Sequence, residues 1–152
     1  MGLLSFIKGK GRNIFGKKKK EEVEQEAKVA KTEEQLLKEE VTRLGLPVDN
    51  LYVELGKAVS ITGFVKDTAT AERVALTVGN VEGITAVDNR LTIENPTPEA
   101  KFYTVESGDS LSKIAKQFYG DAQQYNKIFE ANQPMIKDVN EIYPGQKLRI
   151  PA

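Results

Sequence analysis

The sequence predicts an α+β protein of two small domains, αββαβ followed by βααβ, behind an N-terminal helical extension. Apolar spacing switches repeatedly between the helical and the alternating period. Glycine, asparagine or proline stands at nearly every switch, where a chain must turn or stop. A short proline-bearing stretch, Glu94-Asn95-Pro96-Thr97-Pro98-Glu99, divides two patterned blocks. The boundaries that follow are 1–31 for an amphipathic segment and charged linker, 32–94 for the first domain, 95–101 for the connection and 102–152 for the second domain.

Within 1–16, Leu3, Ile7 and Ile14 share a helical face, although Gly9 and Gly11 weaken a helix there. The same stretch, with Phe6, Lys8, Lys10 and Arg12, also fits a basic amphipathic helix lying on a membrane surface. Residues 17–32 are a lysine run followed by a glutamate-rich stretch, the composition of a solvated helix or linker. Leu36, Leu37, Val41 and Leu44 then give helical spacing, stopped by Gly45 and Pro47. Leu51, Val53 and Leu55 alternate, Gly56-Lys57 turns the chain, and Val59 and Ile61 begin a second strand. Val74, Ala75 and Val78 return to one helical side, Gly79-Asn80 ends that helix, and 84–93 is a final strand.

In the second domain Tyr103 and Val105 point one way along a strand. Gly108 suits a tight turn, and Asp109 or Ser110 caps a helix whose apolar face is Leu111, Ile114, Ala115 and Phe118. Gly120 ends it. Tyr125, Ile128, Phe129 and Asn132 form a second helix, closed before Pro134, and a turn through 142–146 leads into a strand over 147–150.

Composition narrows the chemistry. The 152 residues hold 39% apolar and 29% charged side chains, with zero net charge and neither cysteine nor histidine. Disulfides, thiolate metal sites, imidazole bases and Ser-His-Asp triads are therefore excluded. The remaining carboxylates, lysines and tyrosines form no catalytic grouping, so the chain is not expected to be an enzyme. The charge balance gives no reason to expect a nucleic-acid partner; the basic residues among the first 20 are a local exception. The apolar run at 3–7 is too short for a secretory signal and precedes its basic residues. Phe6 stands where a myristoylation signal needs Ser or Thr, and no segment is long enough to span a membrane. The expected location is cytoplasmic.

Two resemblances follow from these residues. Val-Ser-Ile-Thr-Gly-Phe-Val at 59–65, Arg73, and Val-Glu-Gly-Ile-Thr-Ala-Val-Asp-Asn-Arg-Leu at 81–91 resemble a BON domain. The second domain resembles a LysM module at each turn and apolar position named above. That resemblance implies a glycan groove formed by Gly108, Asp109, Ser110 and Leu111 opposite Ile142, Tyr143 and Pro144. Turn and core requirements explain Gly108, Leu111 and Pro144 equally well.

The two modules in this order resemble the bacterial cytoplasmic potassium-binding proteins built from BON and LysM domains. Further segments carry that likeness: Met1-Gly2-Leu3 with Phe6, Val78-Gly79-Asn80-Val81-Glu82-Gly83-Ile84, and the run from Tyr125 to Asn132. The resemblance implies a monomeric sensor or buffer that compacts on binding K+, with no organic cofactor. Its ligands would be the main-chain carbonyls of Ile7, Lys8, Lys10, Gly79, Val81 and Ile84. The residues themselves are compatible with this. The glutamate run at 21–26 lacks the glycine and spacing of a calcium loop, whereas a large monovalent cation can exchange its water shell for backbone carbonyls. Gly79 and Gly83 also suit a plain helix cap and strand start. The alternative function is binding of N-acetylglucosamine glycan or peptidoglycan.

Overall fold

The computed structural model describes residues 3–7, 9, 11–14 and 32–152. In the first domain, strand β1 (Leu3–Ser5) is followed by helix α1 (Glu33–Arg43), strands β2 (Asp49–Glu54) and β3 (Val59–Asp67), helix α2 (Thr68–Gly79) and strands β4 (Ala86–Asn89) and β5 (Thr92–Asn95). The start of α1 is fixed by a reciprocal cap: the Gln35 N–H donates to the Thr32 hydroxyl, and the Thr32 N–H donates to the Gln35 side chain. Asp67 caps α2 by accepting from the Thr70 N–H at 2.8 Å, and the Thr70 hydroxyl together with that N–H holds its carboxyl below the ordinary range.

The sheet runs β1-β4-β3-β2, with β5 also paired to β3. β2 is antiparallel to β3, whereas β4 and β5 each run parallel to it. Along β3, Val59, Ile61 and Val65 are buried and Thr62, Phe64 and Lys66 are exposed. The buried set packs on Leu37 and Val41 of α1 and on Val74, Ala75 and Val78 of α2, so the helices cover one face.

Two features differ from the sequence expectation. The single strand expected over 84–93 is broken at Arg90 and Leu91. Asn89 is buried there, donates to the Ala71 carbonyl and accepts from the Leu91 N–H, while the Arg90 N–H turns to the Ile61 carbonyl. The described part of the N-terminal extension is extended rather than helical. β1 pairs antiparallel with β4, Leu3 opposite Asp88 and Ser5 opposite Ala86. Within 3–7 the side chains that reach the core are Leu4 and Phe6, a period of two, while Leu3 and Ile7 are 64% and 47% exposed; of the supposed helical face, Ile14 packs against the core. A membrane-surface helix is therefore not what 3–7 form. Residues 15–31, the rest of the extension and its charged linker, lie outside the described residues. Among the described residues no helix is long and apolar enough to cross a membrane.

The second domain comprises β6 (Lys101–Thr104), α3 (Leu111–Tyr119), a 3-10 turn (Ala122–Gln124), α4 (Tyr125–Ala131) and β7 (Lys147–Ile150), with β6 antiparallel to β7. Val105, Leu111, Ile114, Ile128, Ile136 and Leu148 form its core. Among the described residues no strand neighbours the outer edge of β7; two carboxamides replace one. Asn132 accepts from the Arg149 N–H at 2.7 Å and donates to the Arg149 carbonyl at 2.9 Å. Asn80, from the first domain, makes the same pair of contacts to Lys147, both at 2.9 Å.

The domain contact continues through buried charge. Arg149 Nε donates to Glu72 of α2 at 3.0 Å, the residues being 4% and 3% exposed. Arg149 Nη1 and Arg73 Nε both donate to the Ala131 carbonyl. Burial pushes the Glu72 carboxyl up, and Arg149 with the Ala100 N–H draws it only partly back. The connection is tied to the same helix, since the Thr97 N–H donates to the Thr68 hydroxyl and the Ala100 N–H to Glu72. Removing one partner of a buried pair strands the other charge at a cost of about 3–5 kcal/mol, whereas apolar replacement of both is often neutral. Arg149→Met should therefore lower stability in urea unfolding by roughly that amount. The double variant Glu72→Leu/Arg149→Met should recover most of the loss.

Candidate cation site at the helix-to-strand turn

The C-terminus of α2 turns into β4 through residues 79–85, and the N-terminal segment crosses that turn twice. On one side the Phe6 N–H donates to the Thr85 carbonyl at 2.7 Å. On the other, Arg12 bridges Val81: its N–H donates to the Asn80 carbonyl and its own carbonyl accepts from the Glu82 N–H, each at 2.9 Å. The described residues between these contacts, Ile7, Gly9 and Gly11, therefore form an arch held on both sides of the turn. The two glycine-bearing segments singled out in the sequence are brought together.

Steric detail shows how closely they meet. A β-carbon on Gly79 would lie 1.8 Å from the Phe6 ring, so the ring rests directly on that backbone. A β-carbon on Gly11 would lie 1.9 Å from the Asn80 carbonyl oxygen, and Gly11 holds φ at +112°. Only glycine fits either position without displacing the segment.

Of the nominated carbonyl residues, Ile7 lies in the arch, Gly79 ends α2, and Val81 and Ile84 lie in the turn with side chains 0% and 7% exposed. Lys8 and Lys10 lie outside the described residues. The Val81 carbonyl accepts from the Ile84 N–H at 3.1 Å and has a second lone pair left over. Among the described residues no group of three or more acidic, histidine or cysteine side chains could hold a metal ion.

Side chains missed in the sequence reading connect this turn to the second domain. The Asn80 carboxamide grips β7, and the Tyr143 hydroxyl donates to the Asn80 carbonyl at 3.4 Å. Burial raises the Tyr143 phenol to about 12, keeping it a neutral donor. Lys147 places its ammonium 5.4 Å from the centre of the Phe6 ring, and burial lowers its pKa. The sequence marked Asn80 only as a helix stop; an amide side chain directly after a capping glycine was the available signal.

The alternative glycan residues are largely occupied by their own domain. Asp109 accepts from the Tyr103 hydroxyl at 2.7 Å and from the Glu106 N–H at 2.8 Å. Ser110 caps α3 and Leu111 is 2% exposed in the core. Gly108 has open space around it, at φ +86°. Pro144 lies in the turn before β7, and Ile142 and Tyr143 line a cleft facing the first domain.

The BON domain family matches residues 30–95 and the LysM domain family residues 103–151. Over 158 aligned residues the chain is 40% identical to the potassium binding protein Kbp of Escherichia coli O6:H1, covering 99% of both. It is 33% identical over 142 residues to an uncharacterized protein of Deinococcus radiodurans, spanning 86% of this chain and 54% of that one. A 60-residue match at 43% identity to YqbP of Bacillus subtilis covers 34% of this chain and 27% of that protein.

Gly79→Ala and Gly11→Ala should each release the N-terminal segment from the turn. Amide exchange at Phe6 and Arg12 is then expected to accelerate at least about tenfold, equivalent to ~1.4 kcal/mol of lost protection, with exchange in α3 unchanged. Near-full-length identity and the shared domain order place the chain in the BON–LysM family that includes the potassium binding protein of Escherichia coli.

Proposed function

We propose that this chain binds potassium through the main-chain carbonyls of Ile7, Lys8, Lys10, Gly79, Val81 and Ile84, and serves as a monomeric cytoplasmic sensor or buffer of the ion. The observation that carries the reading is the fixing of the N-terminal segment to both sides of the 79–85 turn at Phe6 and Arg12, in a chain 40% identical to a potassium binding protein. A ring of neutral carbonyl dipoles suits a large, weakly hydrated monovalent ion. Ion binding would tie the N-terminal segment to the turn and shift the population toward the form in which Asn80 grips β7.

Titration calorimetry with KCl and NaCl tests this. Saturable heat with KCl at millimolar concentration, absent with NaCl and lost on deletion of residues 1–10, is expected. No selective heat overturns the proposal. Because the ligands are carbonyls, Lys8→Gln and Lys10→Gln should preserve binding. Each should strengthen it about twofold by removing a like charge worth on the order of half a kcal/mol.

The LysM match supports a second reading, glycan binding by the residues from Gly108 to Leu111 and Ile142 to Pro144. The contacts of Asp109 and Tyr143 make that groove less available. Titration with chitooligosaccharides is expected to leave the amides of Asp109 and Tyr143 unshifted; saturable shifts there would favour the glycan reading.

A further inference from the structure

A cleft of about 510 Å³ opens where the N-terminal segment, α1, α2 and the loop before β7 meet. It lies beside the proposed ion turn, and Gly11, Arg12 and Asn80 belong to both. Its volume is in the range of small-ligand sites, and such sites favour domain junctions.

One part of its lining is built for an anion. Arg12 Nε contacts Glu40 Oε2 at 2.6 Å, and Arg43 contacts the same carboxylate with Nε at 2.9 Å and Nη2 at 3.2 Å. Glu40 is 6% exposed, so a buried carboxylate holds two guanidinium groups in place while their side chains remain 55% and 41% accessible. Each guanidinium carries five N–H donors in a fixed fork, more than Glu40 receives. Leu44, Met135 and Ile142 supply half-buried apolar lining, which suits a carbon skeleton. Glu141, the other carboxylate in the lining, would repel an anion near it and favour a ligand seated at the arginines.

We infer that this cleft binds a small organic carboxylate at Arg12 and Arg43, and that its occupancy is linked to that of the ion turn. The linkage rests on the potassium reading above; binding of the carboxylate does not. The carbonyl ligands would be neutral, with Lys8, Lys10 and Arg12 among their neighbours in sequence and Lys147 over Phe6, and Glu82 is the single carboxylate that the turn itself carries. An anion held by Arg12 would offset that charge and fix the Arg12 backbone against Asn80 and Glu82. Linkage is reciprocal, so each ligand would raise affinity for the other by the same factor.

The test uses the full chain and succinate, followed by NMR amide shifts and calorimetry, first in NaCl and then in KCl. Saturable shifts at Arg12, Arg43 and Ile142 in NaCl are expected, weakened at least about tenfold in Arg43→Gln. Met135→Trp, which narrows the cleft without altering charge, should weaken binding as well while amide spectra elsewhere stay native. Absence of succinate shifts in both salts overturns the carboxylate site. Inorganic phosphate binding as tightly as succinate overturns the organic-carboxylate assignment. Carboxylate binding in NaCl with identical succinate affinity in KCl overturns the linkage and leaves the site standing. Failure of potassium to bind at all is read separately, from KCl titration without succinate.

Discussion

The structure depends on Asn80. Its N–H donates to the Leu76 carbonyl and closes α2. Its carbonyl accepts from Arg12 of the N-terminal segment and from the Tyr143 hydroxyl of the second domain. Its carboxamide supplies both partners of Lys147 on the β7 edge. One residue thus joins the helix end, the N-terminal segment and the second domain. The geometry tolerates little variation, because an amide is the side chain that donates and accepts in one plane as a peptide does. Displacement of the turn by a fraction of an ångström would be felt at β7 without any intermediary.

The buried pair of Glu72 and Arg149 complements this contact rather than duplicating it. A buried ion pair adds little net stability, since desolvation consumes most of the Coulomb gain. What it does provide is intolerance of misplacement: an undocked second domain exposes both charges to water, and a misdocked one strands them. The pair therefore favours a single docked arrangement over many loose ones. Arg73 and Arg149 share the Ala131 carbonyl, and burial, with repulsion from Arg149 added, lowers the Arg73 pKa. That local conflict is held in place by the hydrogen bonds around it.

Much of the fold was legible in sequence because it rests on local rules. Thr32 with Gln35, Asp67 with Thr70 and Ser110 with Lys113 are caps set by side chains three residues from their partners. The apolar periods of α1, α2 and α3 match their buried faces. The N-terminal segment was misread because Leu3, Ile7 and Ile14 do keep a helical interval, yet a strand pairing with β4 outweighs propensity once Leu4 and Phe6 have a core to enter. The break at Arg90 was invisible for a similar reason: Asn89 interrupts the strand through contacts to Ala71, 18 residues away. The glycine pairs flanking the candidate site were visible as turns. That Gly79 lies under Phe6 and Gly11 against Asn80 required the tertiary structure, since neither contact leaves a local pattern.

The LysM module illustrates how a surface can change partners without changing its fold. Its turn before β7 bears Tyr143, but the hydroxyl is directed at the Asn80 carbonyl, and Ile142 lines the cleft toward the first domain. The β7 edge, which would otherwise expose Lys147 N–H and carbonyl groups, is closed by a side chain from outside the module. An exposed strand edge invites pairing with other chains, and one covered by a neighbouring domain does not. The strength of that cover depends on the turn that carries Asn80. Whatever stabilises the turn therefore favours the docked module, whatever opens the docked module loosens the turn, and the coupling is the same in both directions. A carbonyl-lined ion site in that turn would couple ion occupancy to domain arrangement through the contacts of one residue, with no further moving part required.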